Sequence, residues 1–217
     1  MRFRQTRSDD PGGAWSSGTT VVRGEVGAGP FEFLRREVRP GILAPRAIYA
    51  FDGATVVGAD LDLTLANITV QGSVFDDCRF TQRPWQSSDG TWSQGTFGRR
   101  PTTFRRCVFE GVQFRALAGF RTGDASFEDC TFQQCTFTTH LAHGTSYVRC
   151  RFEGRIDSAA FYGTVPDQHP RAGERNRFEE NDFTAADLGG IELRGGIDPS
   201  RQHWSEEIDP TTFVRRP

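Results

Sequence analysis

Three adjacent acid pairs recur along this chain, Asp76/Asp77, Glu128/Asp129 and Glu179/Glu180. Paired carboxylates are what general acid–base cleavage of a sugar would use. Each pair, however, stands at one offset behind an aromatic residue, and Arg105/Arg106 fills the same place in a further copy. Charges repeated at one structural position read as a solvated stripe of alternating sign. Such a stripe places Asp77 near Arg106 and Arg106 near Asp129, each pair contributing roughly a few tenths of a kcal/mol. His140 and His143, three apart beside Gly144, share a metal only on a helical turn, and the sequence offers no third ligand. Cysteines number five, an odd count that leaves a thiol over in any disulfide framework. With no C-x-x-C pair, they read as small apolar wall residues of a core. No nucleophile elbow, phosphate-cradling glycine loop or zinc signature is present. The chain is therefore expected not to be an enzyme, and no cofactor or metal is implied.

What positions these residues is a repeat. Five copies of one signature occur: Phe75 to Phe80, Phe104 to Phe109, Phe127 to Phe132, Tyr147 to Phe152 and Phe178 to Phe183. In each, large aromatics lie five apart with Cys (Asn in the last copy) two before the second. That period fits neither a helix nor a strand, and fixed self-similarity marks a repeat architecture. The pentad phase, a large centre with a small residue two places before, runs through Leu65, Val70, Phe75 and Phe80. It continues through Phe104, Phe109 and Phe114, then Phe127, Phe132 and Phe137, and it ends at Phe178, Phe183, Leu188 and Leu193.

This pattern resembles the pentapeptide-repeat family, and Ala186-Asp187-Leu188-Gly189-Gly190 matches its five-residue unit fully. The resemblance covers about residues 58–195. It implies an all-β fold, a right-handed quadrilateral β-helix of about five coils with four pentads per coil, in which the centre and the residue two before it point inward. Spacing supports the coil independently. Successive signatures start 29, 23, 20 and 31 residues apart, which is twenty, or four pentads, plus an excess. Adjacent coils then pair like strands, ~4.8 Å apart, with each coil supported by its neighbours. Residues 1–57 are expected to form an irregular amino-terminal segment and cap. Within them, Phe31 to Leu34 and Ala47 to Phe51 are candidate short strands. Residues 196–217 are expected to cap the last coil through a short helix started by Asp198-Pro199-Ser200 and bearing Trp204, or to form a homodimer seam as in some members of the family.

The excess residues place loops on one flank, mainly within 81–101 and 155–175, and insertions in solenoids often form the binding face. The first loop carries Trp85, Trp92, Phe97, Arg99 and Arg100; the second carries Tyr162, His169 and Arg171. Aromatics and Arg are the usual anchors of protein interfaces, so these residues are candidate partner contacts. The other placement open to the aromatics is folded back over the flank of the rod.

Composition limits the partners. Net charge is −2 and all 26 basic residues are Arg, which gives no global pull toward nucleic acid or an anionic membrane. Residues 1–10 are polar and no segment approaches the ~20 apolar residues of a membrane span, so a soluble, cytoplasmic protein is expected. The resemblance brings one further possibility, since relatives bind DNA gyrase as acidic mimics of duplex DNA. Residues 104–193, however, hold thirteen Asp/Glu against ten Arg. The leading expectation is a non-enzymatic interaction protein whose loops engage a protein partner, and the alternative is a DNA-mimicking modulator of gyrase or another topoisomerase.

Overall fold

The computed structural model describes residues 4–7, 19–31, 35–39, 42–45, 48–64, 66–83, 94–116 and 119–215. Within a pentad, an inward, an outward and an inward side chain make a short strand, as in Thr102, Thr103 and Phe104, buried, half-buried and buried in turn. Polar residues then turn the corner. In every signature the second corner residue adopts the left-handed conformation: Asp77 (φ 55°), Arg106 (49°), Asp129 (55°), Arg149 (51°) and Glu180 (54°). This conformation costs an L-residue about 1–2 kcal/mol, and the packed sides must hold it. The result is a right-handed β-helix with four sides and neighbouring coils in parallel register.

The register stacks like on like. Phe75 pairs with Phe104, Phe104 with Phe127, Phe127 with Tyr147, and Tyr147 with Phe178. On the adjoining side Leu61, Phe80, Phe109, Phe132 and Phe152 pair in succession. Ring centroids within the second column lie 4.7, 5.1 and 4.9 Å apart, tilted by 5°, 15° and 16°. Between columns the rings meet edge to face, as Phe104 and Phe109 do at 5.7 Å and 67°. Each ring thus joins an axial stack to a lateral contact, both favoured aromatic geometries.

Two places before the second ring, Cys78, Cys107, Cys130 and Cys150 form a buried column. Each thiol donates to carbonyls: Cys107 Sγ to Arg105 O at 3.2 Å, Cys130 Sγ to Phe104 O at 3.4 Å, Cys150 Sγ to Phe127 O at 3.3 Å. All five cysteines are free thiols. Hydrogen bonding between neighbouring thiols, with burial behind it, pushes Cys78 and Cys107 far above the ordinary thiol value, so no reactive thiolate forms there. Asn181 ends the column and adds bonds a thiol would not make, to Cys150 N–H and Gln202. Its Nδ2 donates to Tyr147 O and to Gln202 Oε1, both at 3.0 Å, and its Oδ1 accepts from Cys150 N–H at 3.0 Å.

The regular ladder begins before residue 58, which corrects the expectation of an irregular segment over 1–57. Thr20–Val26 pairs in parallel with Tyr49–Val57, and Gly29–Phe31 pairs with Ala59–Asp62. These coils fill their interior with Val22, Val26, Phe51 and Val56 in place of repeated Phe, so the pentad phase was not visible there. Glu32, Phe33, Leu34 and the pentad centre Leu65 lie outside the described residues. Arg4–Arg7 runs antiparallel along the outer edge of Thr20–Val26, occupying hydrogen-bonding groups that an open edge would offer to another chain. At the far end, the expected helix is a pair of 3-10 turns, Pro199–Arg201 and Pro210–Phe213, each with a capping Asp and Pro at its start. Trp204 stacks on Phe183 at 4.7 Å and 10° and donates from Nε1 to Pro199 O at 2.8 Å, so the segment covers the last coil.

Phe104 sits fully buried between Phe75 and Phe127, and Phe104→Ala is expected to cost about 3–5 kcal/mol in urea unfolding. Thr139, exposed and β-branched at φ 49°, is strained. Thr139→Asn should raise stability by up to about 1 kcal/mol by the same measurement.

Candidate functional site

The half-coils between signatures are more regular than their length suggested. Gln94–Thr96 pairs with Asn67–Gln71 and with Phe120–Arg121. Arg151–Tyr162 pairs with Thr131–Ala142 on one side and with Ile191–Arg194 on the other. Of the expected 155–175 insertion, the part before residue 163 is therefore ladder. The chain beyond forms a pinned loop: Val165 N–H donates to Glu174 O at 2.9 Å and Gly173 N–H to Val165 O at 3.0 Å. Asn176 Nδ2 ties its base to His143 O at 2.7 Å and Tyr162 O at 2.8 Å.

Phe97 is not a surface anchor. It is fully buried, stacked on Phe120 at 5.2 Å and edge-on to Phe80, Phe104 and Phe109. The core has an aromatic on this side too, outside the signature, and Phe97 supplies it. Trp85 and Trp92 lie outside the described residues. Arg99 and Arg100 are exposed at the turn that follows Phe97.

Arg99 and His169, one from each expected insertion, line a single cleft of about 420 Å³ together with Thr96, Arg121, Leu141 and His143. A second cleft of about 320 Å³ adjoins it, sharing Thr96 and Arg121 and adding Asn67, Thr69 and Gln94. The ladder aligns Asn67 with Gln94, and Thr69 with Thr96 and Arg121, so these outward side chains form rows across successive coils. Among the described lining residues of both clefts none is acidic.

Asp124 anchors the wall behind this cleft. Its Oδ1 lies 3.4 Å from His169 Nε2 and 3.4 Å from Arg171 Nη1, within ion-pair reach but without hydrogen-bond alignment. His169 Nδ1 accepts from Arg171 N–H at 3.2 Å, which leaves the proton on Nε2, facing Asp124. Residue 144 must be glycine for this arrangement, because a Cβ there would fall 2.1 Å from Asp124 Oδ1. Arg171 also pairs with Glu174 at 2.7 Å, and that hydrogen bond, ahead of the Asp124 charge, raises its pKa. Tyr162 packs edge-on against His143 at 4.7 Å and receives Arg194 Nη1 at 3.0 Å on its hydroxyl. Burial, then the charges of His169 and Arg194, lower the His143 pKa. Tyr162, His169 and Arg171 thus form one assembly around the second loop. Arg99 faces it across the cleft.

The sequence offered His140 only as a metal partner of His143; the structure places it beneath the cleft floor with Tyr147 and Thr122. His140 is 2% exposed, and its Nε2 lies 3.4 Å from both Tyr147 Oη and Thr122 Oγ1. Thr145 Oγ1 donates to Gly123 O at 2.7 Å, so Thr122 donates to Thr145 across 2.8 Å. The signal was present in the signature itself: Tyr147 is the one hydroxyl-bearing ring in its column, and a buried phenol needs a partner. Among the described residues, no group of three His, Cys, Asp or Glu is placed to hold a metal.

This arrangement defines a β-helical solenoid built from pentapeptide units, with a cation-lined cleft on one flank. No family model matches the sequence and no curated protein matches it. Among solved structures, a trypsin-treated variant of QnrB1, described as a plasmid-mediated fluoroquinolone resistance protein, aligns at 14% identity. That alignment covers 88% of this chain and 93% of that one, with a TM-score of 0.28. A pentapeptide repeat protein, Rfr23 from the cyanobacterium Cyanothece 51142, aligns at 12% identity over 85% and 87% with a TM-score of 0.18. Full-length QnrB1 aligns at 10% identity over 92% and 94% with a TM-score of 0.20. Likeness this loose carries no argument about activity. The repeat character rests on the chain's own register.

Phe97→Ala should cost about 3–5 kcal/mol, whereas Arg100→Ala should change stability by no more than about 0.5 kcal/mol, both read from thermal or urea melts. Burial, with a smaller contribution from His143, lowers the His140 pKa from its ordinary 6.5 to about 3. The unfolded chain therefore binds one more proton than the folded chain between those values. Stability is full above pH ~6.5 and falls by up to about 1.4 kcal/mol per pH unit below it. Urea midpoints of His140→Gln at pH 7 and pH 5.5 should show this component of the slope gone.

Proposed function

We propose that the protein is a non-enzymatic interaction module that engages a protein partner through the flank where Arg99 and His169 line one cleft. The observation that carries this reading is the convergence of Arg99 and His169 on one cleft, although they are far apart in sequence. Support comes from the construction beneath them. The loop bearing His169 and Arg171 is pinned by Asn176 and Asp124, so little ordering cost remains to be met on binding. The free thiols of all five cysteines favour a reducing, cytoplasmic setting, and no helix among the described residues is long and apolar enough to cross a membrane.

The alternative, a DNA-mimicking modulator of gyrase or another topoisomerase, calls for a continuous acidic stripe. The stacked corners instead alternate in sign through Asp77, Arg106, Asp129, Arg149 and Glu180. Arg149 neutralises Asp129 through bonds of 2.7 and 2.8 Å, and that hydrogen bonding lowers the Asp129 pKa. Arg105 reaches Glu128 at 3.4 Å, while Arg106 reaches diagonally to Asp76 at 2.5 Å rather than to Asp77.

Replacing residues 84–93 with a short Gly-Ser linker is the informative change, because it stops short of Gln94–Thr96 and Phe97. A longer deletion through Gly98 would remove a core ring and is expected to unfold the protein. The shorter replacement should keep circular dichroism and melting temperature and reduce partner capture in quantitative pull-downs by at least about tenfold. Unchanged capture would sink this reading. A supercoiling assay with purified gyrase, with and without a quinolone, tests the alternative, and no effect at large molar excess would remove it.

A further inference from the structure

We infer that the paired clefts on this flank bind an acidic peptide segment of a partner protein, with Arg121 as the main carboxylate contact. This inference rests on the interaction reading above and names the chemistry of the partner.

The argument is one of charge left unanswered. Elsewhere on the rod most of the described arginines meet carboxylates, as Arg23 does with Asp52, Arg79 with Glu110, Arg149 with Asp129, and Arg177 with Glu128 and Glu179. Arg121 is exposed, lines both clefts and has no ion pair among the described residues. Arg115, whose side chain lies against Gly119 at the edge of the second cleft, has a buried Nε with no hydrogen-bond partner. His143 and His169 line the same cleft as Arg121. The nearby carboxylate, Asp124, is already flanked by His169 and Arg171. In a protein carrying 28 acidic residues, the described lining of these clefts thus offers Arg121 no carboxylate.

The remaining lining favours a peptide over a bare anion or a nucleic acid. Asn67, Thr69, Gln94 and Thr96 offer neutral donors and acceptors suited to a backbone. Leu141, half exposed at 50% on the cleft wall, offers an apolar contact for a side chain between the carboxylates. Beyond these few cations a phosphate polymer would meet arginines already paired with carboxylates, as Arg106 is with Asp76 and Arg149 with Asp129, so its added phosphates would gain little.

Fluorescence anisotropy of the full-length protein with a labelled peptide of alternating Glu and Leu tests this, against the same peptide carrying Gln for Glu and against labelled oligothymidylate. The Glu peptide is expected to bind at least about tenfold tighter than the Gln peptide, with affinity falling as NaCl rises. Arg121→Glu should lose about tenfold or more, Arg121→Gln an intermediate amount, and Arg201→Glu at the far end of the rod nothing. Equal affinity for the Gln peptide, tighter binding of oligothymidylate, an Arg121→Glu variant that binds unchanged, or no binding of the Glu peptide would each overturn the inference. So would self-association that Arg121→Glu abolishes, which would assign the cleft to a second copy. The broader reading fails separately. If the 84–93 replacement loses partner capture but Arg121→Glu does not, only the acidic segment is wrong.

Discussion

Everything in this molecule depends on one coincidence of lengths: the spacing of hydrogen-bonded strands is also a comfortable spacing for parallel aromatic rings. Coils pair in register, so a Phe lands over a Phe at 4.6 to 5.1 Å through Phe80, Phe109, Phe132, Phe152 and Phe183. The backbone ladder and the ring stack enforce the same register. A slip of one residue would turn the rings outward and lose both. That agreement lets a chain with only 36% hydrophobic residues hold a continuous core, because most of its described large apolar side chains are buried there.

The same register explains what the sequence made legible. Rings at five-residue intervals, with a small residue before each, specify a four-sided coil, and the sides bearing the signatures were readable residue by residue. The first coils were not, since Val22, Val26 and Val56 fill them and a Val series has no distinctive period. Phe97 misled for a related reason. It lies off the pentad phase in a glycine-rich stretch, where composition resembles a binding loop, yet the interior needs a ring on that side. At the flank, Arg99 and His169 could be assigned to loops but not to each other, because their meeting depends on how the intervening coil stacks. Arg121 was invisible as a candidate: its significance lies in the carboxylate it lacks, and an unpaired charge has no signature in one dimension.

Charge on the rod follows the corners. A left-handed corner repeated in each signature projects outward residues into columns, so like charges would be held about one strand spacing apart. Alternation of Asp and Arg along the column relieves that, and Glu128 shows the economy of it, accepting Arg105 from one coil and Arg177 from another. Each exposed pair contributes little to stability. Their collective effect is to leave the corners electrically quiet, which makes the cleft, whose described lining holds no carboxylate, the distinctive surface.

The hydrogen bonds between coils run along the axis of the rod, and each coil touches only those above and below it. Tension applied to the two chain ends would therefore load the outermost rungs first, peeling coils away in sequence instead of shearing the whole ladder together. The two terminal covers, Arg4–Arg7 along the first coil and Trp204 on Phe183, stand where such peeling begins. Mechanically they are latches as well as lids: the resistance of the rod to being unravelled is set by its two ends more than by the long stack between them.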